Sequence, residues 1–107
     1  LFDMGEPVLT QFRIMGVPFV YDFYLPGRNM IIEYNGDFWH CNPLKYTAGQ
    51  RVKMPRGSSV LSDDVWARDS RKRQAAEAFG YRVITIWESD HKSRSIQDIV
   101  KEILGTK

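Results

Sequence analysis

Apolar and polar positions along the chain alternate in two rhythms. Val17 to Tyr24 is mostly β-branched and aromatic, and Met30 to Tyr34 is apolar except for Glu33. Both read as strands. Between them, Pro26-Gly27 suits the two central positions of a type II turn, so the pair is predicted to form a tight hairpin. Tyr81 to Trp87, Y-R-V-I-T-I-W, is the most strand-like run in the chain. It follows a helical stretch after a single glycine, as an α/β crossover does.

The helical rhythm falls elsewhere. Residues 6–15, with Pro7 in the first turn and Gly16 after the end, are predicted to form a short helix. Ser62 is the expected N-cap of a longer one, with Asp63 and Asp64 near its positive end. It runs through Phe79 to a stop at Gly80. Ser95 with Asp98 approximates a capping box, and Ile96, Ile99, Val100, Ile103 and Leu104 make an amphipathic terminal helix closed by Gly105. Residues 41–62, with Pro43, Gly49, Pro55 and Gly57, read as a long loop, which in a small domain points to function or mobility. The predicted order is α-β-β-(loop)-α-β-α, an α/β fold with a small mixed β-sheet flanked by helices.

The chain of 107 residues, 43% hydrophobic and 13% aromatic, suits one domain, 1–107, with a core that needs no disulfide. Cys41 is the sole cysteine, and a reducing, intracellular, cytoplasmic setting fits it. There is no long apolar run and no visible signal peptide, so no membrane partner is expected. The start at Leu1 suggests a piece of a longer protein. A net charge of +2 names no partner, but its distribution does more. No acid lies between Asp37 and Asp63, while Lys45, Arg51, Lys53 and Arg56 do. Arg68, Arg71, Lys72 and Arg73 follow on the predicted helix. Basic segments beside a carboxylate pocket suit a polyanion; ordinary solubility is the competing explanation.

The hairpin carries the candidate chemistry. If Tyr24 faces Asn29, Asp22 faces Ile31. Asp22, Ile31, Glu33 and Asn35 then share one face, with Asp22 and Glu33 diagonal neighbours. Two carboxylates brought together call for a positive charge between them, and Mg2+ takes such oxygens while keeping several waters. Glu33, the Tyr34 carbonyl and Asn35 could all serve it. His40, steadied by bulky Phe38 and Trp39, is placed to act as a general base. Asp69 is a further candidate, against an i,i+4 ion pair with Arg73. Glu6 is a weaker one, against a plain first-turn acid. A zinc site at Cys41 and His40 lacks ligands.

The segments V-Y-D-F-Y-L-P, I-I-E-Y-N-G-D-F-W-H-C-N-P, W-A-R-D-S-R-K and G-Y-R-V-I-T-I-W-E resemble the very-short-patch-repair endonuclease fold. That fold is a branch of the PD-(D/E)xK nucleases with a restriction-endonuclease-like core. Within it the chain is most similar to phage homing endonucleases with the EDxHD signature. The resemblance implies Glu6, Asp22, His40 and Asp69 as the signature residues, with Asp64 a rival for the last. It puts Glu33 and Asn35 in the (D/E) and K slots. Asn35 departs from the pattern, because an amide cannot supply a lysine's charge, and the departure shifts weight onto His40. The chain also lacks ligands for the repair enzymes' structural zinc.

The expectation is therefore a Mg2+- or Mn2+-dependent DNA endonuclease acting in a phage-infected bacterial host. Asp22, Glu33 and Tyr34 would hold the metal, and Glu6, Asn35, His40 and Asp69 would assist. Lys45, Arg51, Lys53, Arg56, Arg68, Arg71 and Lys72 would touch double-stranded DNA. Sequence choice would come largely from a separate DNA-binding region, and a homodimer is one way to cut both strands. The alternatives are a mismatch-repair nickase of the same fold, a ββα-metal nuclease built on His40, Asn42 and His91, and a non-catalytic nucleic-acid-binding module.

Overall fold

Residues 7–91 and Asp98 are described by a computed structural model. The elements are β1 (Leu9–Arg13), β2 (Val20–Leu25), β3 (Met30–Asn35), β4 (Arg51–Lys53), β5 (Ser59–Leu61), α1 (Ser62–Glu77), β6 (Arg82–Trp87) and α2 (Glu88–His91). Four strands form a mixed sheet in the order β1-β2-β3-β6, and β4 pairs with β5 in a separate ribbon. β1, β2 and β3 are antiparallel in turn, whereas β6 runs parallel to β3. The chain is thus mixed α/β with a small mixed sheet and two helices among the described residues. The predicted terminal helix lies outside them, as does Glu6.

Residues 6–15 do not form the predicted helix. Their described part holds strand β1, with Leu9 opposite Tyr24 and Phe12 opposite Tyr21. Burial of Phe12 decides the matter, because its ring stacks on Tyr24 at 4.1 Å between centroids and meets the edge of Tyr81. A five-residue segment is too short for its helix formers, Leu9, Gln11 and Arg13, to outweigh such partners. Gly16 does mark a turn, at φ +85°.

The hairpin forms, but with another turn. Pro26–Arg28 make a 3-10 turn, and Asn29 closes it in the left-handed region at φ 51°. The connection therefore takes four residues rather than two, and pairing begins at Leu25 opposite Met30. Tyr24 faces Ile31, not Asn29. Asn29 is instead a tie point. Its amide donates to the Gly80 carbonyl at 2.9 Å, and its own carbonyl accepts from the Arg82 N–H at 3.1 Å. The hairpin tip is thereby fixed to the turn that launches β6.

The sheet buries both faces. Leu25, Met30, Ile32, Ile84 and Ile86 pack on one side. Ile14, Val17, Tyr21, Ile31 and Ala76 pack on the other, against α1. Small Ala75 and Ala76 let the helix approach, and the Tyr21 hydroxyl donates to the Lys72 carbonyl at 2.6 Å. Strict alternation along β2 fails at Asp22: Tyr21 and Tyr24 both join the α1 side, while Phe23 and Leu25 join the other. Gln11, between the paired Thr10 and Phe12 on the neighbouring strand, has φ 51°. Both strands are irregular at the same level.

The predicted loop over 41–62 contains the β4–β5 ribbon. Val52 and Val60 turn inward and pack with Cys41, Val65 and Trp66 in a third cluster. Ser62 is the first residue of α1, not its cap. Its buried hydroxyl donates to the Thr47 carbonyl at 2.7 Å and accepts from the Gln50 N–H at 3.3 Å. We expect Ser62→Ala to lose about 1–3 kcal/mol in denaturant unfolding, because both partners are left short of a bond in a closed site.

Candidate active site

The site begins where β2 and β3 part. Their recorded pairs stop at Phe23 opposite Ile32. One residue on, the Asp22 side chain takes the place of a backbone acceptor: its Oδ2 accepts the Tyr34 N–H at 2.8 Å. The Asp22 N–H in turn points at Glu33 Oε2, 3.4 Å away. Continuing the observed register sets Asp22 directly opposite Glu33, not diagonal to it. The predicted convergence of the two acids holds, and its geometry is tighter than the two-residue turn implied.

Glu33 has a partner that the sequence did not reveal. Lys72 Nζ, from α1, lies 2.6 Å from Glu33 Oε1. The same ammonium sits 5.1 Å from the Tyr21 ring centroid, a cation–π contact. Only about a tenth of the Glu33 side chain is open to solvent, at 11%. Burial pushes its carboxyl up to about pH 7. Lys72 pulls the other way, and Asp22 adds to the rise. One ammonium does not offset both desolvation and a second carboxylate.

His40 stands across from this group. The turn from Gly36 to His40 closes with the His40 N–H donating to the Gly36 carbonyl at 3.1 Å. It is steadied by Asp37, which is buried and bound by Asn42 at 2.9 Å and by Lys45 at 2.9 Å. Burial opposes the Asp37 carboxylate, but Lys45, Asn42 and the Ser89 N–H together hold its pKa below the usual value. His40 Nδ1 lies 2.8 Å from Asp69 Oδ2. A carboxylate accepts from Nδ1–H, so Nε2 is left free to take or give a proton. Phe38 is seated in the third cluster, but Trp39 is 57% exposed rather than buried.

Glu33, Asn35, His40, Asp69 and Lys72 line one cleft of about 350 Å3, with Trp66 on its wall. Asp22 is not among the lining residues and meets the cleft through Glu33. Asp69 pairs with His40, not with Arg73, whose guanidinium binds Thr85 Oγ1 at 2.7 Å. Asp64 is exposed and outside the cleft, whereas Asp69 lines it. Two candidate DNA contacts change role. Lys72 is bound to Glu33, and Lys45 to Asp37. Arg51, Lys53, Arg56, Arg68 and Arg71 are exposed, with Arg68 reaching Asp69 at 3.5 Å. Asn42 is a buried strut binding Asp37 and the Leu44 N–H, unsuited to a ββα-metal role. The side chain of His91 lies outside the described residues.

A signal for the cleft-facing side of α1 did exist, though Lys72 lies at its margin. Trp66, Asp69, Ser70 and Arg73 recur at i, i+3, i+4 and i+7, one helical face, and all four line the cleft with Lys72. The clustering of Lys72 with other basic residues obscured its separate place.

Comparison with family models, with curated proteins and with solved structures finds no match to this chain.

Among the described residues no group of three or more His, Cys, Asp or Glu is placed to hold a metal ion. Asp22 and Glu33 make a two-carboxylate donor pair, which is enough for a cation that retains water. Carboxylate oxygens fit a hard divalent cation, with Glu33 turned into the cleft and Asp22 beside it.

The Glu33 carboxyl also sets a pH dependence. Its pKa rises from 4.5 to about 7 on folding, so the native state holds the extra proton between those values. Its stabilising share is complete below about pH 4.5 and is lost as pH rises through about 7. We expect unfolding experiments to record a fall on the order of 2–3 kcal/mol from this group across that window. Glu33→Gln, which cannot ionise, should remove that part of the fall.

Proposed function

We propose that the chain is the catalytic domain of a metal-dependent DNA endonuclease of the very-short-patch-repair-like, restriction-endonuclease-like type, akin to homing enzymes. One observation carries this reading: Glu33, the Lys72 ammonium and the His40–Asp69 dyad meet around a single cleft, with Asp22 behind Glu33. Phosphodiester hydrolysis needs these parts: a place for a cation, a base and a positive charge near the phosphate.

Asp22 and Glu33, with the Tyr34 carbonyl, are the residues to hold Mg2+ or Mn2+. When bound, such an ion polarises the phosphoryl oxygen and acidifies a water. His40 Nε2 takes the proton from the attacking water, while Asp69 fixes the ring and stabilises the imidazolium. Lys72 supplies the ammonium that Asn35 cannot. That removes the best support for a non-catalytic module. Asn35 remains in the cleft as a hydrogen-bonding group for phosphate or water. Double-stranded DNA is the substrate, and cleavage leaves 5′-phosphate and 3′-hydroxyl ends.

The decisive experiment is cleavage of supercoiled plasmid with Mg2+ against EDTA. Asp22→Asn is the informative variant, because its amide oxygen can still accept the Tyr34 N–H while the charge is gone. It should abolish cleavage with an unchanged circular dichroism spectrum; a folded variant that cuts like wild type would refute the site. His40→Ala should lower the rate about 10²–10⁴-fold. Mg2+ binding competes with the Glu33 proton, so apparent affinity should fall up to about tenfold per pH unit below about 7. Calorimetry at pH 6 and 8 checks that slope.

A further inference from the structure

We propose that the β4–β5 ribbon is a groove-binding arm that lays its outer face into the major groove of duplex DNA beside the cleft. The inference rests on the nuclease reading for its partner, but its geometry is independent of the catalytic residues. Register divides the ribbon into two faces. Arg51 pairs with Leu61, Val52 with Val60, and Lys53 with Ser59. Alternation puts Val52 and Val60 on one face and Arg51, Lys53 and Ser59 on the other. The valine face is seated on Val65 and Trp66. The other face is open, with Arg51, Lys53 and Ser59 all exposed. Arg56, in the turn between the two strands, is exposed as well.

Charge makes this face one-sided. No acid occurs from Phe38 through Ser62. The fourth cation of that stretch, Lys45, is held by Asp37 and points its charge elsewhere. Arg51, Lys53 and Arg56 form no ion pair among the described residues, and Arg51 Nη1 donates only to Ser59 Oγ, at 3.2 Å. That bond lays the guanidinium along the outer face. A solubilising surface usually mixes both signs; this one does not.

Shape selects the groove. A two-stranded ribbon fits the major groove, about 12 Å wide, and arginine there reaches guanine O6 and N7. The short hydroxyl of Ser59 leaves Arg51 and Lys53 as the long charged side chains of the face, beside half-buried Leu61. The base is rigid as well. Ser62 N–H donates to the Gln50 carbonyl at 2.9 Å, and Met54 N–H donates to the Ser58 carbonyl at 2.7 Å. β5 runs straight into α1. At a rise of about 1.5 Å per residue, the ribbon's end lies roughly 12 Å along the helix from Asp69. The arm would therefore meet bases within about one helical turn of the phosphate in the cleft.

The test uses the full chain on a duplex in EDTA, so that no strand is cut, with affinity followed as salt is varied. The triple variant R51A/K53A/R56A should reduce the slope of log K against log salt by about 2–3, near 0.9 for each lost phosphate neutraliser. It should also lose the protection of guanine N7 against dimethyl sulfate that wild type gives. Arg82→Ala, at the far end of β6, should leave both readouts unchanged. Should the triple variant misfold, Arg56→Ala at the turn carries the test alone, with a slope change of about one. An unchanged slope, no N7 protection by wild type, or an equal loss in Arg82→Ala overturns the proposal. Plasmid cleavage separates the two ideas. If wild type cuts but the ribbon variants bind normally, only the arm is wrong. If wild type binds through the ribbon but never cuts, only the nuclease reading is wrong.

Discussion

A carboxyl group caught between a second carboxylate and one ammonium governs the arrangement of this molecule. Glu33 belongs to the central strand β3 and Lys72 to α1, so their 2.6 Å contact fastens the sheet to its helix at the functional cleft. The Tyr21 hydroxyl reinforces the joint by holding the Lys72 carbonyl. One helical turn before Lys72, Asp69 is thereby carried to His40. The rotation of α1 that satisfies the ion pair also orients the imidazole. Loss of either charge would leave the other desolvated, a costlier state than the absence of both.

Two buried acids show how context divides their behaviour. Asp37 and Glu33 each face a lysine. Asp37 also receives the Asn42 amide and the Ser89 N–H, and stays ionised. Glu33 is desolvated with one ammonium to answer it and shares its site with Asp22, so it keeps its proton to near neutrality. The first arrangement is structural, pinning the turn that presents His40. The second leaves one ammonium facing two carboxyl groups. Similar chemical parts thus serve as a strut in one place and as the lining of a cleft in another.

Much of this was legible in the chain. Runs with strong β-branched and aromatic content, Met30 to Tyr34 and Tyr81 to Trp87, fell within a residue of β3 and β6. The Gly80 stop at φ +90° also agreed. What could not be read depended on distant partners. β1 exists because Phe12 finds Tyr24 and Tyr81, and no local pattern announces those rings. The ribbon was hidden because its strands are short and its turn residues read as loop. The turn at Pro26-Gly27 was misjudged because Asn29, bound to Gly80, lengthened it. At the site, Asp22 and Glu33 do come together, but through a register shifted by the longer turn and with alternation broken at Asp22. The lysine was missed because a helix can deliver a charge that the strand pattern lacks.

One feature of the backbone beside the imidazole has practical weight. Cys41 follows His40 at φ +48° and is wholly enclosed, and its carbonyl is held by the Trp66 indole at 2.7 Å. Burial, with Asp69 nearby, raises its thiol pKa, so the folded protein should be inert to alkylating reagents. The sole sulfhydryl of the chain is therefore a native clock for breathing of the cleft wall, since its labelling rate counts the openings that separate α1 from the His40 turn.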